Sequence, residues 1–319
     1  MNTFRIVKWM FSISVMVLAA GLVSAQNYPT KPIRIVTSPP GGGNDFAARL
    51  IAQGLQGRLG QPVIIDNRPG GVILVEAVTK APPDGYTLMF WTNGIWVLPL
   101  FQKVPYDAVK DLLPITLVGE TPNVLVVHPS LPVKSVKELI ALAKAKPGVL
   151  NYGGTTPSSS GILSAELFKS MAGVSMVGIR YKGNGPAIIA LLSGEVQLLF
   201  GSGASVAPHL KSGRLRGVAV TSALPSALTP GLPTVAASLP GFELGQIYGV
   251  YAPAKTPAAI VGQLSREIIS VLNNIEMKRK MLDGGIEVVA GSPEQLAAAI
   301  SSETIRMDKV IKDAGLRAE

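Results

Sequence analysis

Short runs of β-branched and other apolar residues alternate along the chain with longer stretches of helical periodicity. Four- and five-residue apolar runs bounded by turn residues are typical of buried strands, and their alternation with helices indicates an α/β fold. The predicted strands cover residues 33–37, 63–66, 86–90 and 124–127. The first helix follows the first strand, from Asn44 or Asp45 to Leu59.

Three later helices have recognisable starts. Residues 135–138 read Ser-Val-Lys-Glu, a capping box in which the hydroxyl and the carboxylate each satisfy a free backbone amide. Residues 256–257 read Thr-Pro, which predicts proline at the first helical position. The third start is Ser-Pro-Glu-Gln at residues 292–295, and one apolar face is predicted after it, formed by Leu296, Ile300, Met307, Ile311 and Ala314.

The first 25 residues have the organisation of a secretory signal. Arg5 and Lys8 precede an apolar run over residues 9–23, and Val23 and Ala25 fit the positions that signal peptidase reads. A retained membrane anchor is the alternative, but the run has 15 residues and a spanning helix needs about 20. We predict cleavage after Ala25, a periplasmic location, and a mature chain of residues 26–319 that is long enough for two domains.

Composition narrows the classes of function. The chain has no cysteine, which excludes disulfides, thiol chemistry and cysteine metal sites. The formal net charge of +9 falls to +7 without Arg5 and Lys8. The basic residues are scattered and aromatic residues make up 6% of the chain, so we predict no nucleic-acid partner and interpret residues 278–280 as a solvated helix face. A mild positive field favours anionic ligands.

Four glycine- or hydroxyl-rich loops follow predicted strands. They are Ser-Pro-Pro-Gly-Gly-Gly-Asn-Asp at residues 38–45, Thr-Asn-Gly at 92–94, the loop at 153–161, and Gly-Ser-Gly at 201–203. The first loop lacks the third glycine of a dinucleotide fingerprint and has no P-loop lysine, so it indicates an anion or small-ligand loop, or else a structural turn. Ligands of open α/β sheets lie at the carboxyl ends of strands, so the four loops together predict a binding cleft.

Enzyme signatures are weak. His128 and His209, the two histidines, fit structural roles, and no G-x-S-x-G elbow is present. No His, Asp and Glu cluster has the spacing of metal ligands, and nothing indicates that Asp45, Asp66, Glu120 or Glu166 pair in space. We therefore predict no enzyme activity, no cofactor and no metal.

The chain resembles the Bug receptors, the substrate-binding receptors of tripartite tricarboxylate transporters, over residues 28–319. The resemblance rests on ordered strings, of which Asn-Arg-Pro-Gly at 67–70 and Ala-Pro-Pro-Asp-Gly-Tyr at 81–86 are the most specific. Further matches are residues 28–33, 39–45, 181–183 and 233–235. The resemblance implies a periplasmic-binding-protein fold, with two α/β lobes that close on a carboxylate. It implies one lobe of residues 26–121 and 253–319, another of residues 122–252, and crossings near Thr121-Pro122 and Tyr251-Ala252-Pro253.

The ligand-binding residues implied by position come from both lobes. They are Pro40, Gly41, Gly42, Asn44, Asp45, Gly71, Thr92, Asn93, Thr156, Ser158, Ser159, Ser160, Gly201 and Ser202.

Three departures from the family pattern concern the ligand. Many members carry an Asp-Asn pair where this chain has Gly201 and Ser202, and an amino-acid ligand is therefore less expected. The loop after Gly71 is about two residues shorter and reads Val-Ile-Leu-Val at 72–75, and Ile162 replaces a polar residue. Either these changes make the pocket more apolar than usual, or the chain has drifted from ligand binding. The first interpretation predicts an organic acid with an apolar or aromatic body rather than citrate.

The leading hypothesis is a monomeric transport receptor that delivers a small organic acid to the membrane subunits of a tripartite transporter. A sensory binding protein that presents its ligand to a membrane sensor is the alternative. A hydrolase on the same scaffold is a third hypothesis, in which Ser158, Ser159, Ser160 or Ser202 would be needed for turnover.

Overall fold

The computed structural model describes residues 28–41, 43–155 and 158–315, without the side chain of Ala204. The predicted signal sequence and two predicted ligand residues, Gly42 and Thr156, lie outside this part of the chain. Within the described ranges, no helix combines the length and the apolar character needed to cross a membrane.

The first sheet is built from strands distant in the sequence. Its order is β2 (Val63–Asn67), β1 (Ile33–Thr37), β3 (Thr87–Thr92), β9 (Gly245–Pro253) and the first part of β4 (Leu112–Val127), with β10 (Glu287–Gly291) paired to β4. β1 runs parallel to β2 and β3, whereas β9 is antiparallel to β3 and β4. A mixed sheet with helices on both faces results.

Alternate residues of these strands enter different cores, because successive side chains of a strand point to opposite faces. Ile35 packs in one core with α1 (Gly43–Leu59), α8 (Ala258–Leu272) and α9 (Ile275–Asp283). Val36 packs in the other with α2 (Val72–Thr79), α3 (Gly94–Val97) and α10 (Pro293–Asp313). Short 3₁₀ turns cover Leu98–Leu100 and Val235–Ala237.

The second sheet is formed by the last part of β4 with four further strands. β7 (Leu198–Ser202) and β8 (Arg216–Val220) pair with β4, and β5 (Asn151–Gly154) joins β7 to the edge strand β6 (Val177–Arg180). Four helices belong to this half: α4 (Val136–Ala145), α5 (Ser160–Ala172), α6 (Asn184–Ser193) and α7 (Gly203–Lys211). The predicted α/β fold of two lobes is confirmed.

β4 connects the two sheets in one uninterrupted strand. Its residues up to Pro122 pair with β9, and from Asn123 onward they pair with β7. The predicted first crossing near Thr121-Pro122 coincides with this change of partner.

We propose that the return crossing lies before Gly245, earlier than the expected stretch near Tyr251–Pro253. Tyr251 pairs with Met89 of β3 and with Pro114 of β4, so that stretch is an interior part of the first sheet. β9 begins its pairing at Gly245, opposite Pro122. We propose lobes of residues 28–122 with 245–315, and of residues 123–244.

The predicted helix starts are reproduced with small shifts. Ser292 caps α10 in a full capping box with Gln295. The Ser135 hydroxyl caps α4 by accepting from the backbone amide of Glu138. The Glu138 carboxylate, however, accepts from the backbone amide of Lys134 rather than from that of Ser135. Pro257 is the N-cap of α8 rather than its first residue. On α10 the predicted apolar residues are buried as far as Ile311, and Ala314 lies just beyond the helix.

Candidate functional site

A cavity of about 290 Å³, here called the interlobe cavity, lies where the two sheets meet. It is lined at the carboxyl ends of β3, β5 and β7 and along the two crossings. The predicted ligand residues that line it are Thr92, Asn93, Ser158, Ser159, Ser160, Gly201 and Ser202. Three of the four predicted loops therefore converge on one space.

The described residues of the first predicted loop do not line this cavity. Pro40, Gly41, Asn44 and Asp45 are absent from its wall, as is Gly71. Their absence has a structural reason, because the loop is held together by its own contacts and is separated from the cavity by one layer of side chains.

Asp45 is the centre of those contacts. Its carboxylate accepts from the Gly41 amide (3.1 Å), from Arg49 Nε (3.1 Å) and from Asn67 Nδ2 (2.8 Å). Burial opposes its ionisation, but these hydrogen bonds outweigh burial and hold the pKa of Asp45 below its ordinary value. Asp45 thus organises the loop rather than facing a ligand in this conformation.

The layer between that loop and the cavity is Tyr248 with Gln246. A Cβ on Gly43 would lie 3.9 Å from the Tyr248 hydroxyl, which donates to Gln246 Oε1 (3.0 Å). Gln246 lines the cavity. The side-chain oxygen of Gln246 thus already accepts a hydrogen bond, and its side-chain nitrogen is the group left to bind a ligand.

The apolar run after Gly71 fills the core and not the cavity. Gly71 has a φ of 72° and caps α2, whose Leu74 and Val75 are fully buried. Val72 packs against the same core and Ile73 is 57% exposed. The expectation that this run makes the pocket more apolar was wrong, because the helical period turns three of the four residues toward the core and leaves Ile73 exposed, so that none of them lines the cavity.

Ile162 also packs behind the wall. A Cβ on Gly154, which lines the cavity, would lie within 2.1 Å of Ile162 Cδ1. Ile162 is buried and does not itself line the cavity. Its side chain therefore shapes the β5 end from behind rather than replacing a polar ligand contact.

Three helices of the second lobe begin at the cavity. Ser159 and Ser160 start α5, Asn184 starts α6 and Ser202 is the N-cap of α7. Ser159 accepts from the Ile162 amide at 3.4 Å, whereas α6 and α7 have no side-chain cap. Free amides of a first helical turn and the helix dipole favour a negative charge, and here three such ends face one space.

The crossing strands supply polar residues that the sequence did not reveal. Asn123 accepts from Ser160 Oγ (3.3 Å) and donates to Ser164 Oγ (3.2 Å). Its backbone is held by Thr221, which accepts from the Asn123 amide (2.8 Å). Thr121, Asn123 and Gln246 have no local signature, since they are single polar residues within the strands β4 and β9. Asn184 could have been found, because it directly follows the family string at 181–183.

Charged side chains are absent from the described wall of the cavity. Hydroxyls, amides and backbone groups form its polar part. Its apolar part is formed by Val97, Leu163, Ala187, Ile188, Leu199, Phe200 and Leu244. Within the described ranges there is no cluster of His, Asp and Glu that could hold a metal ion, and neither histidine lines the cavity.

Behind the cavity, Glu303 of α10 supports the β3 loop. It accepts from Asn93 Nδ2 (2.6 Å) and from Trp96 Nε1 (2.8 Å) and is 1% exposed. Burial raises the pKa of Glu303 to about 7, although these two hydrogen bonds favour the charged form.

Known proteins resemble this chain over nearly its whole length. Residues 47–316 match the sequence model of the tripartite tricarboxylate transporter family receptor. The protein BugT of Bordetella pertussis is 36% identical over 315 residues, which cover 96% of this chain and 97% of BugT.

Solved structures give the same picture. Rpa4515 of R. palustris with adipate has 37% identity and a TM-score of 0.73, over 90% of this chain and 98% of that one. The periplasmic binding protein BugD has 28% identity and a TM-score of 0.70, over 92% and 100%. MatC of Rhodopseudomonas palustris with bound malate has 28% identity and a TM-score of 0.69, over 89% and 100%.

Proposed function

Because this chain belongs to the tripartite tricarboxylate transporter receptor family, we propose that it captures a small organic acid, as the carboxylate, in the interlobe cavity and delivers it to the membrane subunits of a transporter. The observation that carries the proposal is the meeting of three helix N-termini at a cavity whose described wall has no charged side chain.

The carboxylate binds against the second lobe. The uncapped first turns of α6 and α7 provide backbone amides, and Ser158 and Ser160 add hydroxyls at the third helix. Hydrogen bonds from backbone amides to a carboxylate are charge-assisted and therefore stronger than neutral ones. No cationic side chain is required, which matches the composition of the wall.

The body of the acid is apolar. Leu163, Ile188 and Phe200 face the same space as the hydroxyls, and burying each methylene of a ligand contributes about 0.8 kcal/mol. Adipate and malate are bound by two similar proteins, and both are small dicarboxylates. The longer methylene chain of adipate fits this mixed wall better than the three carboxylates of citrate.

An amino group has no counter-charge among the described residues of this cavity. The described wall has no carboxylate, and Gly201 stands where an aspartate would be needed. A desolvated ammonium group without a counter-charge is costly, so amino acids bind more weakly than the corresponding acids.

Export places the receptor where it meets its ligand. We propose cleavage after Ala25 and a monomeric receptor in the periplasm whose lobes close by a hinge motion at Pro122–Asn123 and before Gly245. Closure also brings the first lobe, with Gln246 and the residues around Asp45, toward the ligand.

A thermal-shift screen on the purified mature chain tests the ligand. A ligand that binds only the folded state at 100 times its Kd raises the free energy of unfolding by about 2.7 kcal/mol. We expect stabilisation by adipate, a smaller effect of malate, and none of adipamide, the uncharged control of the same shape. Stabilisation by citrate or glutamate alone contradicts the proposed ligand class.

Two further measurements separate the roles. Recovery of the acid unchanged after long incubation excludes hydrolysis. Uptake of labelled acid by cells that lack the gene, with and without complementation, tests delivery to a transporter, and ligand binding without any effect on uptake contradicts a transport role.

A further inference from the structure

A second, acidic pocket lies directly behind the interlobe cavity. It has a volume of about 30 Å³ and its charged residues are Glu120, Glu243, Glu303 and Arg306. Leu244 and Gln246 belong to the walls of both spaces. Negative charge is thus concentrated one residue layer away from the proposed carboxylate site.

Glu303 reaches from this acidic pocket into the wall of the cavity through Asn93. The two side chains are 210 positions apart and are joined by the 2.6 Å bond from Asn93 Nδ2 to Glu303 Oε1. Asn93 Nδ2 also donates to the carbonyl oxygen of Gly245 (3.0 Å), the first residue of β9 after the return crossing. Asn93 therefore links α10, the β3 loop and the hinge.

The hydrogen-bond inventory of Asn93 decides what it offers to a ligand. A carboxamide has two N–H donors, and here both are used, by Glu303 and by Gly245. Its Oδ1 has no hydrogen-bond partner among the described residues. While Glu303 is a carboxylate, Asn93 therefore provides an acceptor on a wall where a carboxylate ligand needs donors.

We propose, on the premise of the proposed function, that Glu303 is a positioning residue for the cavity and takes up a proton when the cavity captures an anion. As a carboxylate, Glu303 holds the Asn93 amide with its nitrogen turned inward. As a carboxylic acid, it donates to Asn93 Oδ1, and the amide turns and exchanges its hydrogen bond to the Gly245 carbonyl for one from Nδ2 to the ligand. One proton passes from solvent to Glu303, and no other group changes charge.

The surroundings of Glu303 favour this uptake. Burial raises the pKa of Glu303 most and the charge of Glu120 on β4 adds to that rise, whereas the hydrogen bonds from Asn93 and Trp96 and the charge of Arg306 on α10 lower it. Burial raises the pKa of Tyr251 on β9, and the charge of the nearby Glu303 raises it further. Glu243 forms an ion pair with Arg306 at 3.1 Å. With a pKa of about 7, Glu303 changes charge near neutrality, and an anion arriving in front of it raises that pKa further.

Calorimetric titration of the full mature chain with adipate tests the proposal. Carboxylic acids titrate near about pH 4, so the ligand keeps its charge between about pH 6.5 and 8.5. We expect Kd to rise with pH by at most about tenfold per unit, the limit for one linked proton. The binding heat should also depend on the ionisation enthalpy of the buffer, which reports proton uptake directly.

Glu303→Gln imitates the protonated state. We expect this variant to bind adipate at every pH about as tightly as the wild type at the lowest pH, without proton uptake. Glu120→Gln is the matched control, because it removes a neighbouring charge but no bond to Asn93. It should lower the midpoint of the pH dependence and keep its slope. An unchanged pH dependence in Glu303→Gln overturns the proposal.

A second readout needs no ligand. The ¹⁵N–¹H signal of the Trp96 indole should shift with pH in the wild type and not in Glu303→Gln, with Trp91→Phe used for assignment. No titration near neutrality overturns the proposal even if ligand binds. Binding of adipate with a pH-independent Kd overturns this inference alone, whereas no binding of any carboxylate overturns the proposed function as well.

Discussion

Val206 occupies the space that a side chain on Gly201 would need. A Cβ at Gly201 would lie 2.7 Å from Val206 Cγ1 and 2.8 Å from Leu199 Cδ1. Both neighbours are buried, at 0% and 4% exposure. The glycine is therefore required by packing at the end of β7, and it also keeps carboxylates out of the ligand wall.

Gly201→Asp should consequently destabilise the protein without creating an amino-acid receptor. Overpacking a buried site costs about 1–3 kcal/mol, and an unpaired charge adds to that cost. Gly185→Asp is the matched control, since its Cβ meets nothing within 4 Å and it lies in the first turn of α6, where an acid is tolerated. Urea denaturation measures both, and equal stability of the two variants contradicts the packing argument.

Ser202→Asp should weaken ligand binding without destabilising the fold. Ser202 is the N-cap of α7 but provides no side-chain cap, and aspartate is a favoured N-cap residue, so we expect stability to hold or to increase by about 0.5–1 kcal/mol. The new charge repels a carboxylate ligand, and the Kd for adipate should rise at least about tenfold, or about 1.4 kcal/mol.

Ser202→Asn is the isosteric control for that experiment. It keeps the capping ability without the charge, so its stability should match that of Ser202→Asp, and its affinity for adipate should remain close to that of the wild type. Loss of affinity in both variants would indicate a steric effect and not an electrostatic one.

Thr221→Val should lower the free energy of unfolding by removing hydrogen bonds at the hinge. The Thr221 hydroxyl accepts from the Asn123 amide (2.8 Å) and donates to the Asn123 carbonyl (3.1 Å), and both residues are buried. Leaving that amide unpaired costs about 1–3 kcal/mol of unfolding free energy. Thr116→Val, equally buried but with one bond of 3.5 Å, should be close to neutral in the same chemical denaturation.

The stability of Glu303→Gln relative to the wild type should depend on pH. The pKa of Glu303 is 4.5 when unfolded and about 7 when folded, because burial disfavours its charge. The folded wild type holds the proton more tightly, so its stability falls as pH rises from about 4.5 to about 7 and is level above that. The glutamine side chain does not titrate, so the free energy of unfolding of the variant should rise relative to that of the wild type by about 3 kcal/mol across this window.

Urea denaturation at several pH values measures this difference. Glu294→Gln on the same helix is the control, because hydrogen bonding from Ser292 lowers the pKa of Glu294. Its removal should give a trend of opposite sign only below the ordinary glutamate pKa of about 4.3, and a flat difference between about pH 5 and 7. A flat difference for Glu303→Gln would falsify the assignment of its charge change to neutral pH.

Much of the fold was predictable because its signals are local. Apolar runs predicted the strands near residues 33–37 and 63–67, and the Ser292 capping box marked the start of α10 at Pro293. The hydroxyls of Ser158 to Ser160 were found because a polar loop at the end of a strand is visible in a short window. Such features depend on neighbours within one helical turn or one strand.

The tertiary structure alone decided where distant segments meet. Nothing near Tyr251 shows that it pairs with Met89, and so β9 was not expected to continue the first sheet. Nothing near Asn93 indicates that Glu303, 210 residues later, accepts from its amide. Strand register and burial of a carboxylate depend on long-range packing, in which the free energy of the whole core outweighs the preferences of any local segment. The sequence by itself thus determined the elements and the hydroxyl-bearing loops, whereas only the packed structure set the crossings, the wall of the cavity and the charge behind it.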